Sequence, residues 1–337
     1  MSRTSERPSS RLSKLSEEGF HRWLFAHGVG AKGQLLSVGD DAVALPCGRG
    51  EAIVLSTDAV LEGTHFPPGT PGRWVGRFAA AVNFSDLAAK GARPTGLLAA
   101  LQAPRSMEAR RLEEVVEGLR EMARECGTDL LGGDTKSGPR LNVVPTVVGR
   151  ARSDALMPRG AGVLGDLLVT TGTTGRGALG YLRWRASPSP RGPRLRSLLR
   201  VTPRLREGMA LASWAHATVD TSDGLLKSAR LLAEASGLGA EIDLAQVPYE
   251  PALERYARST GRAVESLAFA GGDYELLSAL PARRWESARR AVERVGGALT
   301  VVGALRARGQ DRLRTPRGPR PFPRVGWDSF APGRGPP

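Results

Sequence analysis

The chemistry this sequence could perform is concentrated in its aspartates. Eight of the fourteen fall in six short stretches flanked by Gly, Ser or Thr and adjacent to apolar segments. These are GDDAVAL with Asp40 and Asp41, STDAVLEGTHF with Asp58, NFSDLAAKGARP with Asp86, LLGGDTKSGP with Asp134, VDTSDGLL with Asp220 and Asp223, and AGGDYELL with Asp273. Such placement puts carboxylates at strand ends, where α/β proteins build binding sites. The twenty glutamates behave differently. Most lie in helical patterns, such as Glu113, Glu114, Glu117 and Glu121, and read as solvated faces.

Asp is also a good turn former and helix cap, which is enough to explain any one stretch alone; Asp223 before Gly224 could be only a cap. Asp86 resists that explanation. It sits inside FAAAVNFSDLAAKGA, an otherwise small and apolar helix, with Asn83, Asp86 and Lys90 on one face. A buried carboxylate is costly unless paired or bound to metal, so Asp86 reads as a ligand. Aspartates with Ser and Thr hydroxyls, and few His or Cys, form a hard oxygen donor set suited to Mg²⁺ rather than zinc. Separated carboxylates can each take one ion of a cluster that serves a polyanionic substrate such as a nucleotide triphosphate. The Walker pattern and the protein-kinase signatures are absent. VTTGTTGRGALG (169–180) is weak evidence for phosphate binding and reads better as a strand-to-helix turn.

The elements that must position these residues alternate. Helices are expected at 12–27, 74–91, 107–126, 203–215, 223–236 and 282–295. Strands are expected at 52–58, 95–103, 141–149, 167–172, 216–220, 239–243, 274–280 and 298–303. Pro145 argues for an edge position or a bulge, and residues 186–206 read as an exposed loop. The fold class is α/β (α+β) with two domains and a boundary near 150–165. The expected division is a disordered tail at 1–11, an N-terminal domain at 12–152, a C-terminal domain at 153–330 and a flexible tail at 331–337.

Composition narrows the function classes. No run of 18 apolar residues exists to span a membrane, and the first eleven residues lack a signal-like apolar core. Cys47 and Cys126 are isolated, which argues against disulfides or zinc and suits a reducing cytoplasm. The net charge of +14 comes from 43 Arg against 5 Lys, spread over the whole chain. With 5% aromatic residues and no basic-aromatic interleaving, this does not point to nucleic acid.

Taken in order, these stretches, together with VTPR at 201–204, ASGLGAEIDL and the terminal GWDSF, resemble the thiamine-monophosphate kinase family of the AIR synthase-like ATP-binding superfamily. The resemblance runs from about 36 to 330. It implies an N-terminal α/β domain of the AIR synthase type, which pairs with a second subunit, and a ferredoxin-like α/β C-terminal domain. It also implies transfer of the γ-phosphate of ATP to thiamine monophosphate with several Mg²⁺ ions in a homodimer. By position, Asp40, Ser56, Thr57, Asp58, Asp86, Asp134, Asp220 and Asp223 match metal ligands, with Asp58, Asp134 and Asp223 expected to be catalytic. Gly133, Asp134, Arg159 and Ser222 match positions near the nucleotide. His65 and Trp327 match substrate-side positions. Where the family reads GGEDYEL, this chain reads AGGDYEL, so that Gly272 stands in the glutamate's place or one residue is deleted. The stretch is expected to form the thiamine-side wall.

Overall fold

The computed structural model describes residues 38–323 without a break, together with 19, 20, 23, 24, 27, 30, 32–36 and 326. The helix expected at 12–27 and the site residue Trp327 fall largely or wholly outside them. The first half builds a mixed sheet from β1 (Val43–Gly48), β2 (Glu51–Thr57), β3 (Val60–Leu61), β4 (Arg93–Ala103), β5 (Leu130–Ser137) and β6 (Asn142–Arg152), in the order β1-β2-β6-β4-β5 with β3 pairing β6. Helices α1 (Gly72–Ala89) and α2 (Ala109–Glu125) follow β3 and β4.

Pro145 is not on an edge. β6 lies between β2 and β4, and the β2 ladder ends at Thr57↔Thr146 while β3 begins pairing at Val143. The missing proline N–H therefore falls in the gap between two partner strands, and the Pro145 carbonyl accepts the Thr57 hydroxyl at 2.8 Å.

The second half contains β7 (Leu167–Thr171), α3 (Arg176–Ala186), α4 (Pro193–Leu198), α5 (Leu205–Leu211), β8 (Ala217–Asp220), α6 (Leu225–Ala235), β9 (Gly239–Asp243), α7 (Pro251–Ser259), β10 (Leu276–Leu280), α8 (Trp285–Arg294), β11 (Leu299–Arg306), β12 (Arg312–Thr315) and β13 (Gly318–Pro321). Its sheet runs β13-β12-β9-β11-β7-β10-β8. Residues 186–206 are not a plain exposed loop. Pro193 opens α4, and Leu195, Leu199 and Val201 are buried. The leucine spacing was masked by the surrounding Arg, Ser and Pro.

Helix α1 is the structural centre. Its small side chains (Ala79, Ala80, Ala81, Ala88, Ala89) are fully buried, so neighbours can approach on nearly every side. A methyl on Gly76 would lie 2.0 Å from the Val115 carbonyl of α2, so only glycine permits this approach. The same core joins Phe84 and Leu97 from the first half to Leu276, Leu280 and Val292 from the second. α1 thereby carries Asp86 to the junction of the two sheets. No described helix is long and apolar enough to cross a membrane.

Candidate active site

Three carboxylate-bearing segments meet at α1. Ser56, near the end of β2, donates to the Asp86 carboxylate at 2.6 Å. Ser85, beside Asp86, donates to Asp220 at the end of β8 at 2.7 Å. Asn83, one turn earlier, accepts the Asp58 N–H at 2.8 Å. Asn83, Ser85 and Asp86, within four positions of one buried helix, thus fix Asp58, Asp86 and Asp220 relative to one another. The turn after β8 closes the arrangement, because the Ser222 N–H and hydroxyl both donate to Asp220. Asp223 pairs with Lys227 at 2.6 Å.

The electrostatics are unfavourable for these carboxylates alone. Burial, then the charges of Asp58, Asp220 and Asp41, push the Asp86 carboxyl well above the usual range. Burial, then the Asp41 charge, pushes Asp220 up to about 6. Such a cluster is what a cation would relieve. Among the described residues no three His, Cys, Asp or Glu side chains are already drawn together around one ion position. The donor chemistry nevertheless fits a hard divalent cation, with carboxylate and hydroxyl oxygens and no sulfur or imidazole.

Asp40 and Asp41 form a separate group. Lys90, fully buried, contacts Asp40 at 2.5 Å and Asp41 at 2.9 Å. The Arg159 guanidinium binds Asp41, and the Arg159 backbone N–H donates to Asp40 at 2.8 Å. Burial raises the Asp41 carboxyl, but the Lys90 and Arg159 charges outweigh it and hold Asp41 below the ordinary value.

The opening of β10 forms the other wall. The strand begins at Leu276, not Tyr274, because Gly271 (φ 98°), Gly272 (φ 82°) and Tyr274 (φ 55°) all have left-handed backbones. Gly272 donates to the Ser222 carbonyl at 2.7 Å, which binds this loop to the turn after β8. Asp273 accepts the N–H groups of Gly175 and Gly177 at 2.8 and 2.9 Å, so it caps the start of α3 from 96–98 residues away. Glu275 accepts the Arg204 guanidinium bidentately and the Thr171 hydroxyl at 2.7 Å. VTPR and GGDYELL are therefore the two halves of one ion pair. Tyr274, between these anchors, packs edge-on to Phe78 of α1. Burial, then the charges of Asp220, Asp58, Asp223 and Asp86, push its phenol well above its ordinary value. The sequence places Tyr274 and Glu275 in the expected thiamine-side wall but gives no sign that Glu275 pairs with Arg204. VTPR and YEL both carry the family resemblance, but nothing in their spacing says that Arg204 and Glu275 meet.

Other expected residues lie elsewhere. Thr57 turns its hydroxyl to β6. His65 closes its own turn, accepting the Leu61 N–H at 3.0 Å, and burial lowers its pKa, so its ring is neutral near pH 7. Gly133 and Asp134 lie on β5, an edge strand of the first sheet. There Asp134 is 61% exposed and pairs with Lys136 at 2.8 Å.

This pairing of two sheets around a buried, Ala-rich helix is that of a known family. Residues 39–151 match the AIR synthase related protein N-terminal domain, and residues 164–315 match the AIR synthase related protein C-terminal domain. The chain is 33% identical over 277 residues to the thiamine-monophosphate kinase of Escherichia coli (strain K12), covering 81% of this chain and 84% of that protein. It is 35% identical over 271 residues to that of Caulobacter vibrioides, covering 78% and 76%. A solved structure of AaThiL complexed with AMPPCP and TMP matches with a TM-score of 0.82 at 26% identity, covering 96% of this chain and all of that one. The chain belongs to the AIR synthase related proteins and, within them, to the thiamine-monophosphate kinase family.

Proposed function

We propose that the chain transfers the γ-phosphate of ATP to thiamine monophosphate, giving thiamine diphosphate and ADP. The observation that carries this is the Asp86 centre, a buried carboxylate facing like charges in a family whose member AaThiL has been solved with AMPPCP and TMP. Asp58, Asp86, Asp220 and Asp223, with the Ser56 hydroxyl, are the residues that would hold Mg²⁺. Bound there, Mg²⁺ would neutralise the polyphosphate and the acceptor phosphate and stabilise charge on the transferring group.

The remaining tasks fall to the protein. The acceptor phosphate is already ionised at neutral pH, so the site needs no general base. That agrees with a cluster built from carboxylates and hydroxyls, and it favours direct in-line transfer without a phosphoenzyme. Ser85 and Ser222 hold Asp220 in place, and Asn83 holds the chain at Asp58. Gly271–Tyr274 forms the wall beside the cluster, held by the Gly272 N–H on the Ser222 carbonyl and by the side-chain anchors of Asp273 and Glu275. A reducing cytoplasm is the proposed setting, given the free Cys47 and Cys126.

A homodimer is part of the same proposal. The face of the first sheet opposite α1 and α2 exposes Val43, Leu45, Leu98 and Leu131, the last at 65%. Open apolar side chains on both edge strands, β1 and β5, and on β4 offer a surface for a second copy. A covering subunit would also account for Gly133 and Asp134 standing at an open edge. The test of the activity is product analysis with ATP, Mg²⁺ and thiamine monophosphate. Thiamine diphosphate formation supports the reading, and ATP binding without product would overturn it.

A further inference from the structure

Lys90 is fully buried in a chain with five lysines. It caps the C-terminus of α1, one turn after Asp86. Its ammonium contacts four oxygens: Asp40 Oδ1 at 2.5 Å, Thr218 O at 2.6 Å, Asp41 Oδ2 at 2.9 Å and Met157 O at 3.3 Å. These come from the turn before β1, from β8 and from the segment that joins the two halves.

The carboxylates it binds are otherwise accounted for. Asp40 Oδ1 also accepts the Asp41 N–H at 2.9 Å, and Oδ2 accepts the Arg159 N–H at 2.8 Å. Asp41 Oδ1 takes the Arg159 guanidinium and Oδ2 faces Lys90. Each of the four carboxylate oxygens has a protein donor or cation. Two acids and two bases make a group of zero net charge. Asp86 presents the reverse case, with Ser56 as its hydrogen-bond donor and the like charges of Asp58 and Asp220 beside it. Buried charges persist when paired, and a buried unpaired carboxylate calls for an ion.

We propose that Lys90 is a positioning residue whose ammonium serves as an internal cation for Asp40 and Asp41, so that this pair fastens the two halves of the protein and takes no divalent metal. The metal set is then centred on Asp58, Asp86 and Asp220, and Asp40 is not a member, contrary to what the family resemblance implies. The same contact sets the spacing of the cluster. Lys90 and Asp86 share one helix, and Thr218, whose carbonyl Lys90 holds, lies two residues before Asp220. The inference rests on the metal-dependent kinase reading and refines which residues serve it.

The test counts Mn²⁺ bound per chain, by equilibrium dialysis of the full chain with saturating AMPPCP. It compares wild type, Asp58→Asn, Asp220→Asn, Asp40→Asn and Lys90→Met, with thiamine diphosphate formation and thermal unfolding measured beside it. Asp58→Asn and Asp220→Asn should each lose an ion or weaken Mn²⁺ binding at least tenfold. Asp40→Asn should bind the wild-type number with the wild-type affinity while melting at lower temperature. Lys90→Met, if it folds, should gain an ion that adding Asp40→Asn removes. Loss of an ion in Asp40→Asn from an active enzyme would overturn the assignment, and that result stands even if Lys90→Met does not fold. Failure of the kinase reading would look different: no thiamine diphosphate from wild type and no effect of Asp58→Asn on Mn²⁺.

Discussion

Asp220→Asn should stabilise the metal-free protein at neutral pH and abolish its response to Mg²⁺. Asp220 is buried, and its carboxyl is raised from 3.8 to about 6. The folded chain therefore keeps this proton up to about pH 6, while the unfolded chain releases it near 3.8. Stability from the group is fully present below about pH 4 and is lost as pH rises through about 6. A shift of roughly two units corresponds to about 3 kcal/mol at pH 7.5, and about 1 kcal/mol of it is already lost at pH 4.5. Asparagine removes the charge and can keep the local bonds. Its carbonyl can accept from the Ser222 N–H and hydroxyl, and its amide can donate to Ser85. Urea unfolding in EDTA should then show the variant more stable than wild type by up to about 3 kcal/mol at pH 7.5 and by about 1 kcal/mol at pH 4.5. Saturating Mg²⁺ at a hundred times its Kd should restore about 2.7 kcal/mol to wild type and little to the variant. A variant less stable than wild type in EDTA at pH 7.5, or equal Mg²⁺ stabilisation of both, would refute the electrostatic account.

Further outcomes test other parts of the site. Arg204→Met should cost about 3–5 kcal/mol by leaving Glu275 unpaired, and adding Glu275→Gln should recover part of that; additive losses in urea titrations would deny the coupling. Gly272→Glu should lower stability by about 1–2 kcal/mol, because its φ of 82° lies in the left-handed region; an unchanged Tm would show that the loop adapts freely. Asp134→Asn should leave Tm nearly unchanged, since its exposed carboxylate bonds only Lys136 and the Thr135 N–H among the described residues, yet reduce kcat at least a hundredfold through the site that a second subunit completes at this edge; near-normal turnover would remove Asp134 from the site. Leu98→Asp should yield a monomer by light scattering if the open face of the first sheet holds a second copy, and an unchanged mass would move the interface elsewhere.

Much of this arrangement is legible in the residues. The Ala-rich run around Asp86 announced a helix buried on nearly all sides, so its polar residues had to have partners. Those partners supplied the link from Ser56 through Asp86 and Ser85 to Asp220. The double aspartate and Lys90 were equally visible, but nothing local said that they would meet, because the contact closes across 49–50 residues and draws in Arg159. Pro145 misled for a similar reason. A missing N–H forbids pairing on one side only, and here that side opens between two short partners. The strand at 276–280 began later than its apolar pattern suggested, because positive φ at Gly271, Gly272 and Tyr274 is a backbone property set by tertiary anchors. Helix α4 was obscured because Pro, Arg and Ser dilute the spacing of its buried leucines.

The central claim is that Asp58, Asp86 and Asp220 form a cation site for phosphoryl transfer to thiamine monophosphate. The most direct measurement is chromatographic quantification of thiamine diphosphate and ADP formed by the purified chain, as a function of Mg²⁺, for wild type and Asp86→Asn. The account predicts equimolar products that depend on Mg²⁺ in wild type, with at least a thousandfold loss in a folded Asp86→Asn variant. Mg²⁺-independent turnover, or an active Asp86→Asn variant, would contradict it.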